Sequence, residues 1–281
     1  MGGPRRIGGA TRLAAVIGDP VAHSLSPILL NAAFDAEGLD WAFVALRVSR
    51  SDLAAAVAGA RALGISGISV TTPHKSEVAS LLDRLDPSAE SVGAVNCISR
   101  VDGQLVGYNT DGAGVLGAAR ETGFEPGDGS ALVLGAGGAA RAAVAALAQS
   151  GCRVGVWARR PEAAAAAAAC GGPLGRSLSE PDPRGWDLVV NATTVGMSDA
   201  DKSPLTWPLS AGQRVVEMVY ASGATALESG ARGAGCATAG GASVLLHQAG
   251  EAFRIWTGQA PPLSVMRDAL TSAQESGTMD R

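Results

Sequence analysis

Residues 131–160, ALVLGAGGAARAAVAALAQSGCRVGVWARR, constrain the fold of this chain more than any other stretch. The apolar run ALVL has the length and composition of a buried strand and runs straight into a cluster of glycines. An alanine-rich helical run follows, ends at Gly151 and gives way to a second strand-like run. Gly135, Gly137 and Ala140 fit the pattern GxGxxG/A in the setting that gives it meaning, after a strand and opening a helix. In that setting Gly135 permits the tight turn, Gly137 lets a pyrophosphate approach the backbone, and Ala140 allows close helix–strand packing. The exposed N–H groups at the helix start favour phosphate. The loop Gly135, Ala136, Gly137, Gly138, Ala139 and Ala140 is therefore read as a dinucleotide-binding turn.

The end of the next strand separates NAD from NADP. An NAD site places a carboxylate about 20 residues after the glycines to bind the ribose 2′-OH. This chain has Ala158-Arg159-Arg160 there, with no carboxylate before Glu162. Guanidinium groups bind a 2′-phosphate through paired hydrogen bonds. NADP is the expected cofactor, with Arg159 the main clamp and Arg160 beside it.

Similar alternation occupies the first half. Residues 13–18, 41–48 and 67–70 read as strands, and 26–39 and 51–64 as helices, the second with Ser51 as N-cap and Gly64 as its close. Further strands are expected in 186–197 and 213–220, with helices over 161–170 and 242–257. The amphipathic 242–257 segment carries Leu245, Ala249, Ala252, Phe253 and Trp256 at helical spacing, so it is expected to return to the first domain. The fold class is α/β with two doubly wound domains. The expected divisions are 12–111 for substrate and catalysis, 112–240 as a Rossmann NADP domain, and 241–281 as a returning helical segment. Residues 1 to about 11 read as a flexible tail.

Composition removes several classes of function. A net charge of −4 leaves no basic footprint for nucleic acid. No apolar run reaches membrane-spanning length, and no signal-peptide pattern opens the chain. Cys97, Cys152, Cys170 and Cys236 lie far apart without a CxxC pair, which fits a reducing cytoplasm and no zinc site. His23 and His74 lie in different loops with no third ligand at suitable spacing, so no metal is expected.

Among 22 basic residues only Lys75 and Lys202 are lysine. Where almost every cation is arginine, a retained lysine marks a position that needs a releasable proton, since Arg cannot give one up at neutral pH. Lys202 sits in the polar loop SDADKSP and is explained as a solvated charge. Lys75 stands in TTPHK, one of three polar clusters at strand ends, with HSLSP (23–27) and GYNTDG (107–112). Ligands of doubly wound sheets gather outside the carboxyl ends of strands. Ser24 and Ser26 suit either a substrate carboxylate or helix capping.

Taken in order, GDPVAHSLSP, GISVTTPHK, GAVN, GYNTDGAG, GAGGAARA, NATTVGM, EMVY and VLLHQAGEAF resemble the shikimate dehydrogenase family over nearly the whole chain. The resemblance implies reversible reduction of 3-dehydroshikimate to shikimate with NADPH and no metal. It implies that Lys75 and Asp111 are the catalytic pair, and that Ser24 and Ser26 hold the substrate carboxylate. Ser69, Thr71, Asn96, Tyr220 and Gln248 would surround the ring. The glycine loop, Arg159, Arg160, Thr193, Met197 and Gly241 would border the cofactor. The implied partners are a small ring acid and, in assembly, a monomer or homodimer.

The chain departs from the family pattern at four places. Ser69 stands where Asn is common, Leu30 where His usually precedes Asn31, Glu217 where Asp is usual, and Ala158-Arg159-Arg160 where Asn-Arg-Thr is usual. Ser69 bears on the choice between shikimate and a paralogue acting on quinate or amino-shikimate. A non-catalytic ligand sensor is the remaining alternative, and such a protein has no need of Lys75 and Asp111.

Overall fold

The structure is a computed structural model that describes residues 7–220 and 223–275. It divides into two compact units. Unit 1 comprises the described residues up to Thr110 and from Ala249 onward, and unit 2 is Asp111–Gln248.

Unit 1 contains β1 (Arg12–Gly18), α1 (Ser26–Ala36), β2 (Trp41–Arg47), α2 (Leu53–Leu63), β3 (Gly67–Val70), β4 (Arg84–Leu85), α3 (Pro87–Glu90), β5 (Cys97–Val101) and β6 (Gln104–Tyr108). Its sheet order is β2-β1-β3-β5-β6-β4. β1 is parallel to both β2 and β3, as alternating strands and helices imply. β5 and β6 form an antiparallel hairpin that the sequence reading does not include. Its turn is Asp102-Gly103, with φ of 49° and 82°, the conformation Asp-Gly supplies between two strands.

Strand residues alternate between two cores. Ile17, Ile68, Val70 and Ile98 meet Leu53, Val57 and Ala60 of α2. On the other side Phe34 of α1 stacks on Trp41 at 5.2 Å and on Phe253 at 5.5 Å. Ser51 does not cap α2. Residues 50–52 form a 3-10 turn, and the Ser49 hydroxyl donates to Asp52 Oδ2 at 2.6 Å, drawing the helix start to Leu53. Gly64 closes α2 in the left-handed conformation, as expected.

Unit 2 runs α4 (Asp111–Glu121), β7 (Ser130–Leu134), α5 (Gly138–Gln149), β8 (Arg153–Trp157), α6 (Pro161–Ala169), β9 (Gly175–Ser177), β10 (Leu188–Asn191), β11 (Arg214–Glu217), α7 (Ala226–Gly233) and β12 (Ala237–Ala239). Its six strands are parallel in the order β12-β11-β10-β7-β8-β9. The order reverses at β7, which lies between β8 and β10. That is the switch point where doubly wound sheets open a crevice at their carboxyl edge. Val133, Val190 and Val216 face α4 and α5, whereas Leu132, Leu134, Val189 and Val215 face Trp186, Leu205 and Leu227. Both sheet faces are covered, so the strands are continuously apolar.

α8 (Gly241–Thr257) crosses the division at Gln248, and α9 (Leu263–Glu275) follows it in unit 1. The part of α8 in unit 1 sends the Trp256 indole over the backbone of Gly67, where a Cβ would meet the ring at 2.6 Å. The indole Nε1–H donates to Ile98 O at 2.9 Å. α9 lies within the 241–281 segment expected to be helical, beyond the one helix read over 242–257. Of the tail reading, residues 1–6 lie outside the described residues. At its end Thr11 donates to Asp40 Oδ1 at 2.7 Å and accepts the Gly8 N–H at 2.9 Å.

Candidate active site

In unit 1 the HSLSP and TTPHK clusters leave the neighbouring parallel strands β1 and β3 at their carboxyl ends. β3 continues into Thr71, whose N–H donates to Ile17 O, while the Asp19 N–H donates to Thr72 O at 3.1 Å. These bonds hold the loop after β1, which carries Ser24 and Ser26, beside the loop that carries Thr71 and Lys75. The Val95 N–H donates to Lys75 O at 2.7 Å, and the Val70 N–H to Asn96 O at 2.8 Å. Ser69, Thr71, Lys75 and Asn96 are thereby gathered at the end of β3.

Within this cluster the side chains differ in freedom. Asn96 is buried and committed: its Oδ1 accepts the Thr110 N–H at 2.7 Å, and its Nδ2 donates to Thr110 Oγ1 at 3.1 Å. Ser24 Oγ accepts the Ser26 N–H at 3.3 Å, so it serves the helix start, although the N-cap residue itself is Leu25. The hydroxyls of Ser26, Ser69 and Thr71 have no hydrogen bond to another described residue and are available to a ligand. Lys75 is half-buried.

His74 is structural. It is fully buried, and its Nε2–H donates to Val48 O at 2.8 Å, while Nδ1 has no hydrogen-bond partner among the described residues. Among the described residues no group of three His, Cys, Asp or Glu could hold a metal ion. His247 pairs with Glu121 Oε1 at 2.8 Å, and Glu121 Oε2 accepts from Ser243 at 2.6 Å.

Unit 2 holds the other residues expected at the site. Asp111 is buried at the first residue of α4, where the positive helix end favours a carboxylate. Tyr220 follows β11, and Gln248 lies in α8. Gly135 leaves β7 with φ of +115°, and a Cβ there would meet Ala192 O at 2.8 Å. At Gly137, the N-cap of α5, a Cβ would meet nothing within 4 Å, and no side chain caps the helix. An uncapped helix start facing open space offers N–H donors to an anion. The Gly135 N–H donates to Trp157 O at 2.8 Å, which puts this turn beside the end of β8. Arg159 and Arg160 follow that strand, exposed and without an ion pair to a described residue. This set of donors fits the phosphates of NADP. Met197 is exposed on the loop after β10, and Gly241 packs its backbone against Val219 O with no room for a Cβ.

Sequence reading missed Asn191. Its Oδ1 accepts both the N–H of Thr193 (3.0 Å) and the Thr193 hydroxyl (2.8 Å), and the Val195 N–H donates to Thr193 Oγ1 at 3.0 Å. The signal was present, because Asn followed two residues later by Thr is the pattern of a side chain-closed turn. Asn191 Nδ2 in turn donates to Glu217 Oε1 and Oε2 at 2.8 and 3.0 Å. Burial pushes the Glu217 carboxyl up from its ordinary value. Hydrogen bonds from Asn191, Val219 and Thr225 oppose that shift, and nearby Glu228 adds to it.

Comparison with known proteins agrees with this layout. Residues 16–98 match the shikimate dehydrogenase substrate binding domain, and residues 241–271 match the shikimate 5′-dehydrogenase C-terminal domain. A shikimate dehydrogenase (NADP(+)) of Geobacter sp. (strain M21) is 47% identical over 280 residues, covering 95% of this chain and 97% of the relative. Its counterpart in Citrifermentans bemidjiense is 46% identical with the same coverage. The crystal structure of shikimate 5-dehydrogenase from Thermus thermophilus, in complex with NADP(H) and shikimate, superposes with a TM-score of 0.87 at 37% identity. That match covers 94% of this chain and 100% of the other. The chain belongs to the shikimate dehydrogenase family.

Proposed function

We propose that this protein is an NADP-dependent shikimate dehydrogenase that reversibly reduces 3-dehydroshikimate to shikimate. The observation that carries the reading is the β7–α5 turn, open at Gly137, uncapped, and neighboured by two unpaired arginines at the end of β8. The high identity to NADP-dependent shikimate dehydrogenases over 95% of the chain supports the substrate. The N-terminal unit is the substrate and catalytic part, unit 2 the NADP part.

The chemistry that NADP⁺ supplies when bound is acceptance of a hydride from the alcohol carbon. The residues of this chain do the rest. Ser24 and Ser26 hold the ring carboxylate at the start of α1. Thr71, Asn96, Tyr220 and Gln248 orient the ring hydroxyls, and Ser69 bounds the same space. Lys75 Nζ takes the hydroxyl proton on oxidation and returns it on reduction, and the Asp111 carboxylate supplies the negative charge that steadies the ammonium. Such proton handling contributes about 10²–10⁴-fold in rate. Arg159 and Arg160 select the 2′-phosphate, and Thr193, Met197 and Gly241 border the nucleotide.

No described helix is long and apolar enough to cross a membrane. Four free cysteines, three of them buried, support a reducing cytoplasmic setting. The test is an absorbance assay for reduced nicotinamide with shikimate, quinate and amino-shikimate, each with NADP⁺ and with NAD⁺. Shikimate with NADP⁺ is expected to be the best pair. Quinate with NAD⁺ as the best pair would point to the paralogue, and no turnover with any pair would remove the enzyme reading.

A further inference from the structure

Glu217 is the most deeply buried carboxylate in unit 2, with no exposed surface, and the proton chemistry above leaves it unused. It ends β11 in register with Asn191, which ends β10, so the two side chains share the carboxyl edge of the sheet. Each contact its carboxylate makes comes from a group that can donate. Asn191 Nδ2 reaches both oxygens, the Val219 N–H reaches Oε1 at 2.8 Å, and the Thr225 hydroxyl reaches Oε2 at 3.0 Å.

Those donors belong to three separate segments. Asn191 closes the turn through Thr193 and Val195. Val219 precedes Tyr220. Thr225 is the N-cap of α7, locked by a capping box with Glu228. The first segment abuts the dinucleotide turn, because a Cβ on Gly135 would meet Ala192 O and would come within 3.3 Å of Thr193 Cγ2. A chain of contacts thus runs from Glu217 through Asn191 and Thr193 to Gly135.

We propose that Glu217 is a positioning residue for the cofactor site: as an all-acceptor carboxylate it fixes Asn191, and through it the 192–195 wall of the β7–β10 crevice. This rests on the NADP reading of unit 2. It reaches further in giving a role to a residue that touches neither substrate nor nucleotide.

Glu217→Gln keeps size and shape but turns one acceptor into a donor facing donors. Adding Asn191→Asp gives the new amide an acceptor while the introduced carboxylate's other oxygen still accepts from Thr193, at the loss of the Nδ2 bond to Val195 O (3.2 Å). The full-length protein is titrated with NADP⁺ by calorimetry, its unfolding midpoint is measured without nucleotide, and KM is measured for both substrates. Glu217→Gln is expected to raise the NADP⁺ dissociation constant tenfold or more, with shikimate KM at saturating NADP⁺ changing less than threefold. The double variant is expected to bind NADP⁺ at least threefold more tightly than Glu217→Gln alone. An unchanged dissociation constant in folded Glu217→Gln, or a double variant that binds NADP⁺ no better than Glu217→Gln, overturns the proposal. Should Glu217→Gln not fold, Glu217→Asp answers instead. It keeps the charge but withdraws the carboxylate by one methylene, and a rise below threefold overturns the proposal. If the unsubstituted protein binds no NADP⁺, it is the functional reading that fails.

Discussion

Two glycines of one turn should fail in opposite ways when each becomes alanine. At Gly135 the backbone has φ of +115°, where an L side chain is strained by about 1–3 kcal/mol. The new Cβ would also stand 2.8 Å from Ala192 O and 3.0 Å from Ala192 C. Both are backbone atoms in a paired segment, and overpacking of this kind costs about 1–3 kcal/mol. Gly135→Ala should therefore lose about 2–6 kcal/mol, a large part of a typical domain's stability. At Gly137 the angles are φ −74° and ψ −174°, ordinary for alanine, and the Cβ meets nothing. Gly137→Ala should leave stability unchanged or raise it by about 0.4–1 kcal/mol through a stiffer unfolded chain.

Nucleotide binding should reverse that order of severity. The methyl at Gly137 would occupy the approach to the α5 N–H groups, and hydrogen bonds to a charged partner contribute about 1.5–3 kcal/mol. That corresponds to roughly a 10–150-fold weaker NADP⁺ complex. Urea unfolding and calorimetric titration of both variants measure the two effects separately. A Gly137→Ala protein that binds NADP⁺ normally, or a Gly135→Ala protein as stable as its parent, would refute this account of the turn.

Three further outcomes are expected. Lys75→Ala should lower kcat by about 10²–10⁴-fold with KM within a few-fold, and Lys75→Arg should not rescue it, because Arg keeps the charge without a releasable proton; steady-state rates decide this. Arg159→Ala should raise KM for NADP⁺ while leaving NAD⁺ kinetics little altered, and an equal effect on both nucleotides would remove its role at the 2′-phosphate. Asp83 lies below its ordinary value through its bond from Arg61 Nη1 (2.6 Å) and the Leu105 N–H. A depressed carboxylate contributes stability above its unfolded value of 3.8 that is lost as pH falls through the lower folded value. Asp83→Asn should accordingly lower the melting temperature at pH 7, and the gap should close under acid. A gap that persists at low pH would contradict the assignment.

Local signals make much of the fold and of the cofactor turn legible. The strand–glycine–helix run, the Arg pair and the scarcity of lysine are readable because each depends on a few consecutive residues or on a count. Asp111 rested on its motif, since nothing local distinguishes it from a helix-capping acid. The β5–β6 hairpin has a local signal in Asp102-Gly103, but its strands are only five residues each, preceded by the polar GAVN motif and running into GYNTDG, which obscure it. The start of α2 was misplaced because Ser49, Ser51 and Asp52 compete for the same turn, and only tertiary packing settles which residue begins the helix. Glu217 was legible as a substitution but not as a hub. Its side-chain partners lie 26 residues before it and 8 after it; strand register brings Asn191 alongside, and the start of α7 brings Thr225.

The indole of Trp256 on Gly67 and Ile98 also bears on the order in which the chain assembles. Its hydrogen bond joins positions 158 residues apart, while unit 2 is continuous in sequence. Closing a flexible loop of that length costs about 4–5 kcal/mol in chain entropy beyond a constant. Unit 2 can reach its native contacts during synthesis while unit 1 still lacks Phe253, Trp256 and Met266 of its core. Once unit 2 is folded, the intervening chain is no longer a random coil, and the remaining closure becomes cheaper. Chains ending at residue 248 should then protect unit 2 from proteolysis and leave residues 12–110 open to it, so that the last helices act as the clasp of a unit begun at the N-terminus.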